Sequence, residues 1–377
     1  MAIGIICEFN PFHNGHKYLI QKAKSHTNEP VIAVMSTSFT QRGEVAVTDK
    51  FSRAKSALLG GADLVIELPV AYAVANAEVF AKSGVKLLSS FSDLSSLAFG
   101  CETDNIGLLK KAVSAHRDTA VQSFVAEKMQ GGSYYPKALE TAVREIYGND
   151  TADILSTPNN VLAVEYLKAL PQNIIPLPIQ RKSVSHDSAV TANGFASASY
   201  IREQLKKGED ISEFVPYEPC TLAFPENLEN AILYKLRSMS ADEIRNLPDV
   251  TEGLENRIFS AVREYNSVNE ILFAVKSKRY TLARLRRILV SALLGITKEI
   301  QGITPCYARV LGFTDEGAKA LKSCNLPVIT SVKKGLAMGG DIEKLLKTEI
   351  FATDVFSLAV NPPQKCGADF TTPIIKI

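Results

Sequence analysis

The N-terminal segment predicts a short buried strand, a polar turn and an amphipathic helix. Ile3–Ile6 is an apolar run of strand length, and Lys17–Lys24 has apolar residues at helical spacing. His13 and His16 fall at or in the first turn of the predicted helix, where backbone N–H groups lack partners and the helix dipole is positive. Gly15 would let a ligand approach the backbone. Such a turn suits a phosphate group.

Strands and helices alternate through the next eighty residues. The apolar runs Val31–Met35, Leu64–Glu67 and Leu97–Phe99 predict strands, and Lys50–Leu59 and Asn76–Leu88 predict helices. This alternation is typical of an α/β protein with a Rossmann-like, doubly wound parallel sheet. Ligands in such sheets bind beyond the carboxyl ends of the strands, so we expect the turns after the strands to converge on one rim.

Several polar residues follow these strands and should meet at that rim. A further strand, Ile174–Ile179, contains two prolines and should lie near an edge. It ends just before Arg181. Gln41, Arg42 and Glu44 form either a substrate or phosphate loop or a solvated, salt-linked turn. The side chains expected on the rim are His13, His16, Gln41, Arg42, Gly100 and Arg181.

Alternative uses of the two histidines have less support. A structural zinc site needs about four ligands at recognisable spacings, and no C-x-x-C pair accompanies the remaining histidines, of which His186 is the last in the chain. The chain also lacks both the G-x-x-x-x-G-K-S/T and the G-x-G-x-x-G phosphate-binding motifs. We therefore predict no metal site in the protein, and the H-x-G-H turn is the expected nucleotide site.

Size and composition favour two or three domains. The 377 residues are 46% hydrophobic and 22% charged, as in ordinary globular proteins. We predict a catalytic domain over 1–217 with a helical insertion at 105–150, a helical bundle over 218–305 and a small α/β segment over 306–377. The cysteines are scattered and no apolar run reaches the roughly 18 residues of a membrane span, so we expect a cytoplasmic protein with no membrane partner. No oligomeric state is predicted.

A one-signed basic run lies in the predicted helical region. Between residues 271 and 298 the chain has seven basic residues and no acidic one. Such a run is either a solvated helix face or, with a tyrosine beside it, a surface for RNA phosphates and bases. We expected Tyr280, Arg284 and Arg287 to share one open face. The candidate RNA-binding residues are Lys276, Lys278, Arg279, Tyr280, Arg284 and Arg287.

Motifs spread over most of the chain resemble one known family. H-N-G-H at His13–His16 resembles the H-x-G-H motif of the nucleotidyltransferase superfamily, which includes class I aminoacyl-tRNA synthetases, adenylyltransferases and citrate lyase ligase. The wider set is similar to the bacterial tRNA(Met) cytidine acetate ligase family. Its members here are Cys7–His16, Gln41–Glu44, Gly61–Pro69, Phe99–Glu102, Pro158–Asn160 and Lys278–Tyr280. Ser197–Arg202 resembles a degraded form of the superfamily's second signature, I-S-S-T-x-I-R, and Arg202 is either a phosphate ligand or a surface arginine.

The resemblance implies the chemistry and the site residues. It implies acetylation of the wobble cytidine of elongator tRNA(Met) through an acetyl-adenylate, with ATP and acetate as substrates, magnesium with the phosphates, and His13 and His16 as catalytic residues. Asn160 is favoured over Asn159 as the nucleotide contact, and the basic run is assigned to tRNA. The ATP-binding residues implied are Ile6, Cys7, Glu8, Phe9, Asn10, Pro11, Phe12, His13, Asn14, Gly15, His16, Lys17, Tyr18, Leu19, Gly100, Asn160 and Arg181.

Two other functions are compatible with the sequence. An adenylyltransferase or a citrate-lyase-type ligase would use the same N-terminal turn on a cofactor or a protein, although the basic run argues against it. A non-catalytic RNA-binding protein with a vestigial nucleotide fold is the other alternative. Both histidines of H-N-G-H are present, which argues against loss of catalysis. Pyrophosphate exchange would separate these possibilities.

Overall fold

A single mixed sheet organises the molecule. The computed structural model describes residues 1–182, 194–219, 221–251 and 253–377, so His186 lies outside the described residues. The strands run in the order β5-β4-β1-β2-β3-β6-β7, and β8 pairs with β6. They are β1 (Ala2–Cys7), β2 (Val31–Ser36), β3 (Leu64–Leu68), β4 (Leu94–Cys101), β5 (Ile175–Gln180), β6 (Ala308–Phe313), β7 (Val328–Ile329) and β8 (Ile375–Lys376).

The first five strands are parallel, as the alternating sequence pattern predicts. Strands β1, β2 and β3 are buried along their whole length. Their side chains alternate between two hydrophobic clusters, with Ile3 and Ile5 on one face and Ile6 on the other. Both faces are therefore covered, as a parallel sheet requires. The helices of this part are α1 (Asn14–Thr27), α2 (Lys50–Leu59), α3 (Val70–Ala73) and α4 (Ala77–Leu88).

Strand order places a switch point beside β1. The chain passes from β1 to β2 and β3 on one side, then crosses to β4 and β5 on the other. A crevice opens at the carboxyl ends of strands where the order reverses in this way. The rim predicted from the sequence therefore lies at the end of β1, where the H-N-G-H turn begins.

A segment of five helices lies between β4 and β5 in the chain. Four of its helices enclose a small hydrophobic cluster of their own, centred on Leu139 and Val143. These helices span residues 106–154, the region in which the sequence predicts an insertion at 105–150, and the division into domains stays a prediction. The helices from here to residue 207 are α5 (Ile106–Arg117), α6 (Thr119–Gln130), α7 (Tyr135–Tyr147), α8 (Asn149–Ile154), α9 (Pro158–Ala169) and α10 (Ala198–Lys207).

The region after residue 218 is helical, as predicted. Its apolar residues join the same large hydrophobic cluster that covers one face of the sheet, so this region packs directly on the sheet. A 3₁₀ turn at Pro225–Leu228 precedes its first α-helix. The helices are α11 (Glu229–Ser238), α12 (Ala241–Arg245), α13 (Leu254–Glu264), α14 (Val268–Val275), α15 (Leu282–Leu294) and α16 (Lys298–Gly302).

The C-terminal segment contains strands and helices, as the sequence predicts, and its strands extend the main sheet. Strand β6 pairs antiparallel with β3, with Leu64 opposite Phe313. The helices of this segment are α17 (Asp315–Leu321), α18 (Val332–Leu336), α19 (Gly340–Ala359) and α20 (Ala368–Thr371). Within the described ranges, no helix combines the length and the apolar character needed to cross a bilayer.

A buried ionic cluster, which we call the Lys50 cluster, fastens this segment to the sheet. It consists of Lys50, Glu67, Arg309, Glu349 and Asp369. The Lys50 ammonium lies 3.0 Å from Glu67, 3.1 Å from Glu349 and 2.9 Å from Asp369. Arg309 pairs with Glu67 at 2.9 Å and with Asp369 at 2.6 Å. Lysine or arginine charges thus meet carboxylates in the interior, where unpaired ions would be strongly unfavourable.

Candidate active site

The H-N-G-H turn begins helix α1 through reciprocal histidine contacts. His13 is the N-cap, and its Nδ1 accepts a hydrogen bond from the Gly15 amide at 3.0 Å. The His16 Nδ1 accepts one from the His13 amide at 3.2 Å. The two rings stack with centroids 3.7 Å apart. Each histidine therefore satisfies one of the unpaired amides at the start of the helix.

These contacts fix the tautomers of both rings. A neutral imidazole whose Nδ1 accepts a hydrogen bond carries its proton on Nε2. Burial, followed by Arg181 and Arg202, lowers the pKa of His13 to about 3. Burial, followed by His13 and Arg181, also lowers the pKa of His16 well below its ordinary value. The turn thus presents two neutral Nε2–H donors near neutral pH, whereas positive charge comes from the neighbouring arginines.

Backbone geometry holds the turn in a tight form. Phe9 is fully buried and adopts the left-handed conformation with φ of 51°, which is rare for an aromatic residue. A Cβ on Gly15 would lie 2.8 Å from the His13 ring, so this position needs glycine for the ring to cap the helix. Phe12 packs against Phe9 and His16. Local strain of this kind is characteristic of functional sites.

A cavity of about 470 Å³ opens over the turn at the carboxyl ends of β1, β4 and β5. Its volume lies within the range of small-molecule sites. Twelve of the residues assigned to ATP by resemblance border it: Ile6, Cys7, Glu8, Phe9, Asn10, His13, Gly15, His16, Tyr18, Leu19, Gly100 and Arg181. The other five, which lie outside its wall, are Pro11, Phe12, Asn14, Lys17 and Asn160.

These five residues have other places in the structure. Asn14 donates hydrogen bonds to the carbonyls of Gly194 and Glu213, so it ties the turn to a distant segment. Pro11 and Phe12 are buried behind the turn, and Lys17 is partly exposed on α1. Any contact of theirs with a nucleotide stays a prediction.

The two neighbouring asparagines of α9 are placed differently. Asn159 borders the cavity and Asn160 does not, and the contact of Asn160 with the nucleotide stays a prediction. Asn160 is 4% exposed, and its side chain accepts from the amides of Glu102 and Thr103. It lies in the first turn of α9, whose N-cap is Thr157. Asn160 therefore shapes the end of β4 from behind the wall.

Arginine side chains provide the positive charge of the cavity. Arg181 follows β5, and its amide bonds to the Cys101 carbonyl at 3.0 Å. Arg202, on α10, donates to the Asn10 carbonyl at 2.8 Å and also borders the cavity. Its position favours the phosphate-ligand interpretation over the surface arginine. The sequence signal for Arg202 was the degraded second signature.

Sequence reasoning missed Lys182 and Phe195 on the wall, whereas Ser197 on the same wall belongs to the degraded second signature. Lys182 lies 4.7 Å from the Tyr18 ring centroid and 5.3 Å from that of Phe195. The hydroxyl of Ser197 caps α10 by accepting from the Tyr200 amide. These residues come from segments far apart in the chain, so only the assembled fold brings them together.

The turn after β2, residues Gln41–Glu44, borders the opposite side of the cavity. The Glu8 carboxylate accepts from the Gln41 amide at 2.6 Å, and the Gln41 side chain donates to the Ala75 carbonyl. Gly43 has φ of 73°, and a Cβ there would lie 2.4 Å from the backbone nitrogen of Arg287 on α15. Glu44 pairs with Arg286 at 2.6 Å. The turn is therefore held between β1 and α15.

The basic run has a different arrangement from the one expected. Tyr280 is 5% exposed and Arg287 is 8% exposed, so neither lies on an open stripe. Arg287 pairs with Asp249 at 2.8 Å, and Arg284 donates to the Asp249 carbonyl. Lys276, Lys278 and Arg279, by contrast, are exposed just before α15. The spacing of these arginines on α15 predicts a solvent-exposed stripe, but their partner Asp249 comes from another segment and covers Arg287.

Metal ligands are not grouped in the described part of the chain. No set of three or more histidine, cysteine, aspartate or glutamate side chains there could hold an ion. Mg²⁺ keeps several waters and binds through phosphates with one or two carboxylates. The carboxylates of Glu8 and Glu44 at the cavity fit an ion that arrives with a triphosphate better than a resident one.

Comparisons with known proteins agree with this geometry. The family model described as HIGH Nucleotidyl Transferase matches residues 1–369. The tRNA(Met) cytidine acetate ligase of Thermoanaerobacter sp. (strain X514) is 39% identical over 100% of this chain and 99% of its own. That of Caldanaerobacter subterraneus subsp. tengcongensis is 37% identical over the full length of both.

Solved structures show the same fold. Apo Thermotoga maritima TmcAL (form I) superposes with a TM-score of 0.91 at 28% identity, over 100% of this chain and 99% of that one. The same protein bound with alpha-thio ATP (form II) gives 0.88 at 29% identity with the same coverage. The chain belongs to the tRNA(Met) cytidine acetate ligase family of HIGH nucleotidyl transferases.

Proposed function

We propose that the protein joins acetate to N4 of the wobble cytidine of elongator tRNA(Met), using ATP and releasing AMP and pyrophosphate. The cavity at the end of β1 carries the proposal, because paired Nε2–H donors and two arginines converge there at the switch point of the sheet. The full-length relatives name this reaction, and the alpha-thio ATP complex of the Thermotoga protein supports ATP as a substrate. Such an enzyme would act in the cytoplasm, where its tRNA is found.

The first step is formation of acetyl-adenylate. A carboxylate oxygen of acetate attacks the α-phosphorus of ATP, and the bond to the pyrophosphate oxygen breaks. Acetate is already ionised near neutral pH, so no general base is needed. The protein must place the reactants in line and stabilise charge on the leaving pyrophosphate. His13 and His16 would donate hydrogen bonds through Nε2, and Arg181 and Arg202 would supply the positive charge.

Magnesium would accompany the triphosphate and offset its charge. The protein's own contribution is binding and exclusion of water. Gly100 borders the cavity. If its residue carried a Cβ, the nearest atoms to that Cβ would belong to the Arg181 side chain, at 3.5 Å or more. This open position fits close approach of the nucleotide to the end of β4.

The tRNA would lie over the exposed basic residues before α15. Lys276, Lys278 and Arg279 are exposed and would contact phosphates, which gives affinity without sequence selectivity. Arg284, Arg287 and Tyr280 would then act by holding this region to Asp249 rather than by touching RNA. Substitution of Lys276 and Lys278 by glutamate should weaken tRNA binding and reduce its salt dependence.

The deciding experiment is acetate-dependent exchange of pyrophosphate into ATP, followed by transfer to tRNA. Purified protein is tested with acetate, propionate, citrate or no acid, first without RNA and then with a tRNA(Met) transcript. We expect exchange with acetate and acetylation of the transcript. Exchange only with citrate or with a cofactor acid would favour the other ligases, and absence of exchange both with and without tRNA would favour a binding protein.

A further inference from the structure

The two faces of the sheet meet the cavity with different helices. Side chains along the strands alternate between the two hydrophobic clusters, so Ile6 and Phe99 point to one face, whereas Ala98 points to the other. Helices α4 and α9 cover the first face, which we call the α4 face. Helix α1 covers the second, which we call the α1 face. Residues of both faces border the cavity at the strand ends.

The groups that suit a pyrophosphate lie on the α1 face. His13 is the N-cap of α1, and the Lys182 ammonium lies over the ring of Tyr18 on the same helix. Gly100 is adjacent in β4 to a residue of the α4 face, so it faces the α1 side. A Cβ there would meet the Arg181 side chain at 3.5 Å. A triphosphate bound by these donors and cations would have its leaving group on the α1 face.

In-line transfer then places acetate on the opposite face. The attacking oxygen and the leaving oxygen lie on opposite sides of the phosphorus in such a reaction. Because the pyrophosphate would leave toward α1, a carboxylate oxygen of acetate would attack the α-phosphorus from the α4 face. The methyl group of acetate would then point away from the phosphorus, toward the wall that α4 and α9 supply.

Hydrocarbon and aromatic side chains form this wall. Ala77 and Phe80 are three residues apart on α4, so they share one side of that helix. Leu162 and Tyr166, four residues apart, share one side of α9. The Tyr166 ring packs on Phe99, with ring centroids 5.9 Å apart. All five side chains border the cavity, so the wall offers a methyl group an apolar surface.

We propose that Ala77, Phe80 and Tyr166 form the acyl pocket of this site and that Ala77 sets the length of the acyl chain. Phe80 is 1% exposed and Tyr166 is 5% exposed, so close packing holds both rings in place. Ala77 is only partly buried, and its side chain is the smallest of the three. A larger side chain there would take the space of the acetate methyl, and a smaller one would admit another methylene. The acyl pocket rests on the proposed function.

Hydrogen bonds on both sides of Ala77 fix its position. The Gln41 side chain donates to the Ala75 carbonyl at 3.0 Å. The Asn76 side chain caps α4 by accepting from the Val79 amide at 3.0 Å. A change of side chain at position 77 should therefore alter the volume of the acyl pocket without moving the start of the helix.

The test measures pyrophosphate exchange with acetate and with propionate in the wild-type protein, Ala77→Gly and Ala77→Val. The wild-type protein should prefer acetate in kcat/KM by about tenfold or more, because one methylene has an effect of this size in a close-fitting pocket. Ala77→Gly should reduce that preference about tenfold. Ala77→Val should raise the KM for acetate about tenfold, since the pocket becomes overfilled, and leave the KM for ATP unchanged. Thermal melting checks that each variant is folded.

Ala196→Gly is the matched control, because Ala196 borders the same cavity just before α10, the helix that carries Arg202. It should leave the preference for acetate unchanged. An equal shift of preference in Ala77→Gly and Ala196→Gly would overturn the acyl pocket. So would a raised KM for ATP rather than for acetate in Ala77→Val, or equal use of the two acids by the wild-type protein. A wild-type protein that exchanges with neither acid would refute the proposed function, and the acyl pocket with it.

Discussion

Two groups of cations in this protein, one buried in the interior and one partly exposed at the cavity, have opposite surroundings. In the Lys50 cluster, Lys50 and Arg309 are each paired with carboxylates at 3.1 Å or less. At the cavity, Arg181 and Arg202 form no ion pair with any residue of the described ranges, and both border open space. Burial lowers the pKa of each, with only partial compensation from carboxylates such as Glu102.

The difference separates structure from function. An ion that the fold itself neutralises holds segments together, whereas a partly buried cation that borders a cavity is in position to bind an anionic ligand. An anion bound in the cavity would neutralise Arg181 and Arg202, as Glu67 and Asp369 neutralise Lys50 and Arg309. Each prediction below changes one side of this contrast.

The largest effect should follow loss of Arg309. Arg309→Met leaves Glu67 and Asp369 short of positive charge in the interior, and we expect a loss of about 3–5 kcal/mol of unfolding free energy. Urea titration measures it, and exchange per folded molecule should change little. Lys319→Ala, which removes an exposed pair with Glu316, is the control and should cost less than about 1 kcal/mol. Similar losses in the two variants would contradict the structural role.

Loss of Arg181 should lower activity and leave stability unchanged, the opposite of the effect expected for Arg309. Arg181→Gln removes charge facing the pyrophosphate, so we expect exchange to fall about 100- to 1,000-fold. The thermal midpoint should stay unchanged or rise, since a buried unneutralised charge is removed. A variant that unfolds at lower temperature but exchanges normally once folded would place Arg181 with the structural group.

The two asparagines should differ in the same way, with smaller effects. Asn160→Ala leaves the Glu102 and Thr103 amides without their acceptor, which should cost about 1–3 kcal/mol of stability. Asn159→Ala should chiefly raise the KM for ATP in the exchange assay. If Asn160→Ala raised that KM as much at unchanged stability, the direct nucleotide contact implied by the resemblance would be restored.

The pH dependence of stability should report the buried neutral histidine. The pKa of His13 is about 3 in the folded protein, so between its ordinary value and about 3 the unfolded chain binds the extra proton. Stability from this residue is therefore full above about pH 6.5 and declines as pH falls, by up to about 1.4 kcal/mol per pH unit. His13→Asn keeps a capping side chain, and its urea midpoint should decline less. Parallel curves for both proteins would show that His13 titrates normally.

Periodicity and strand order were sufficient to predict much of this molecule. The helix Lys50–Leu59 has the predicted bounds, and the turns after β1 and β4 meet as expected. Both depend on short-range patterns and on one rule for parallel sheets. The sequence therefore located the cavity before any coordinates.

Long-range pairing could not be predicted in this way. The antiparallel contact of β6 with β3 joins residues about 245 positions apart, and apolar alternation carries no information on which edge a strand joins. The sequence spacing of Arg287 is that of a surface residue. Only the fold brings its partner Asp249 beside it. The positions of Asn159 and Asn160 depend on the direction in which their side chains project from one helical turn. The Glu102 carboxylate holds this turn, because it accepts hydrogen bonds from the Asn159 side chain and from the Asn160 amide.

The late arrival of β6 has a consequence for synthesis on the ribosome. Chains emerge from the N-terminus at about 5–20 residues per second, so Lys50 leaves the ribosome long before Glu349 and Asp369. During that interval the edge of β3 and two of the three carboxylate partners of Lys50 are missing. The nascent sheet therefore keeps an unpaired β3 edge and an incompletely neutralised Lys50 until the segment that contains β6, Glu349 and Asp369 has been translated.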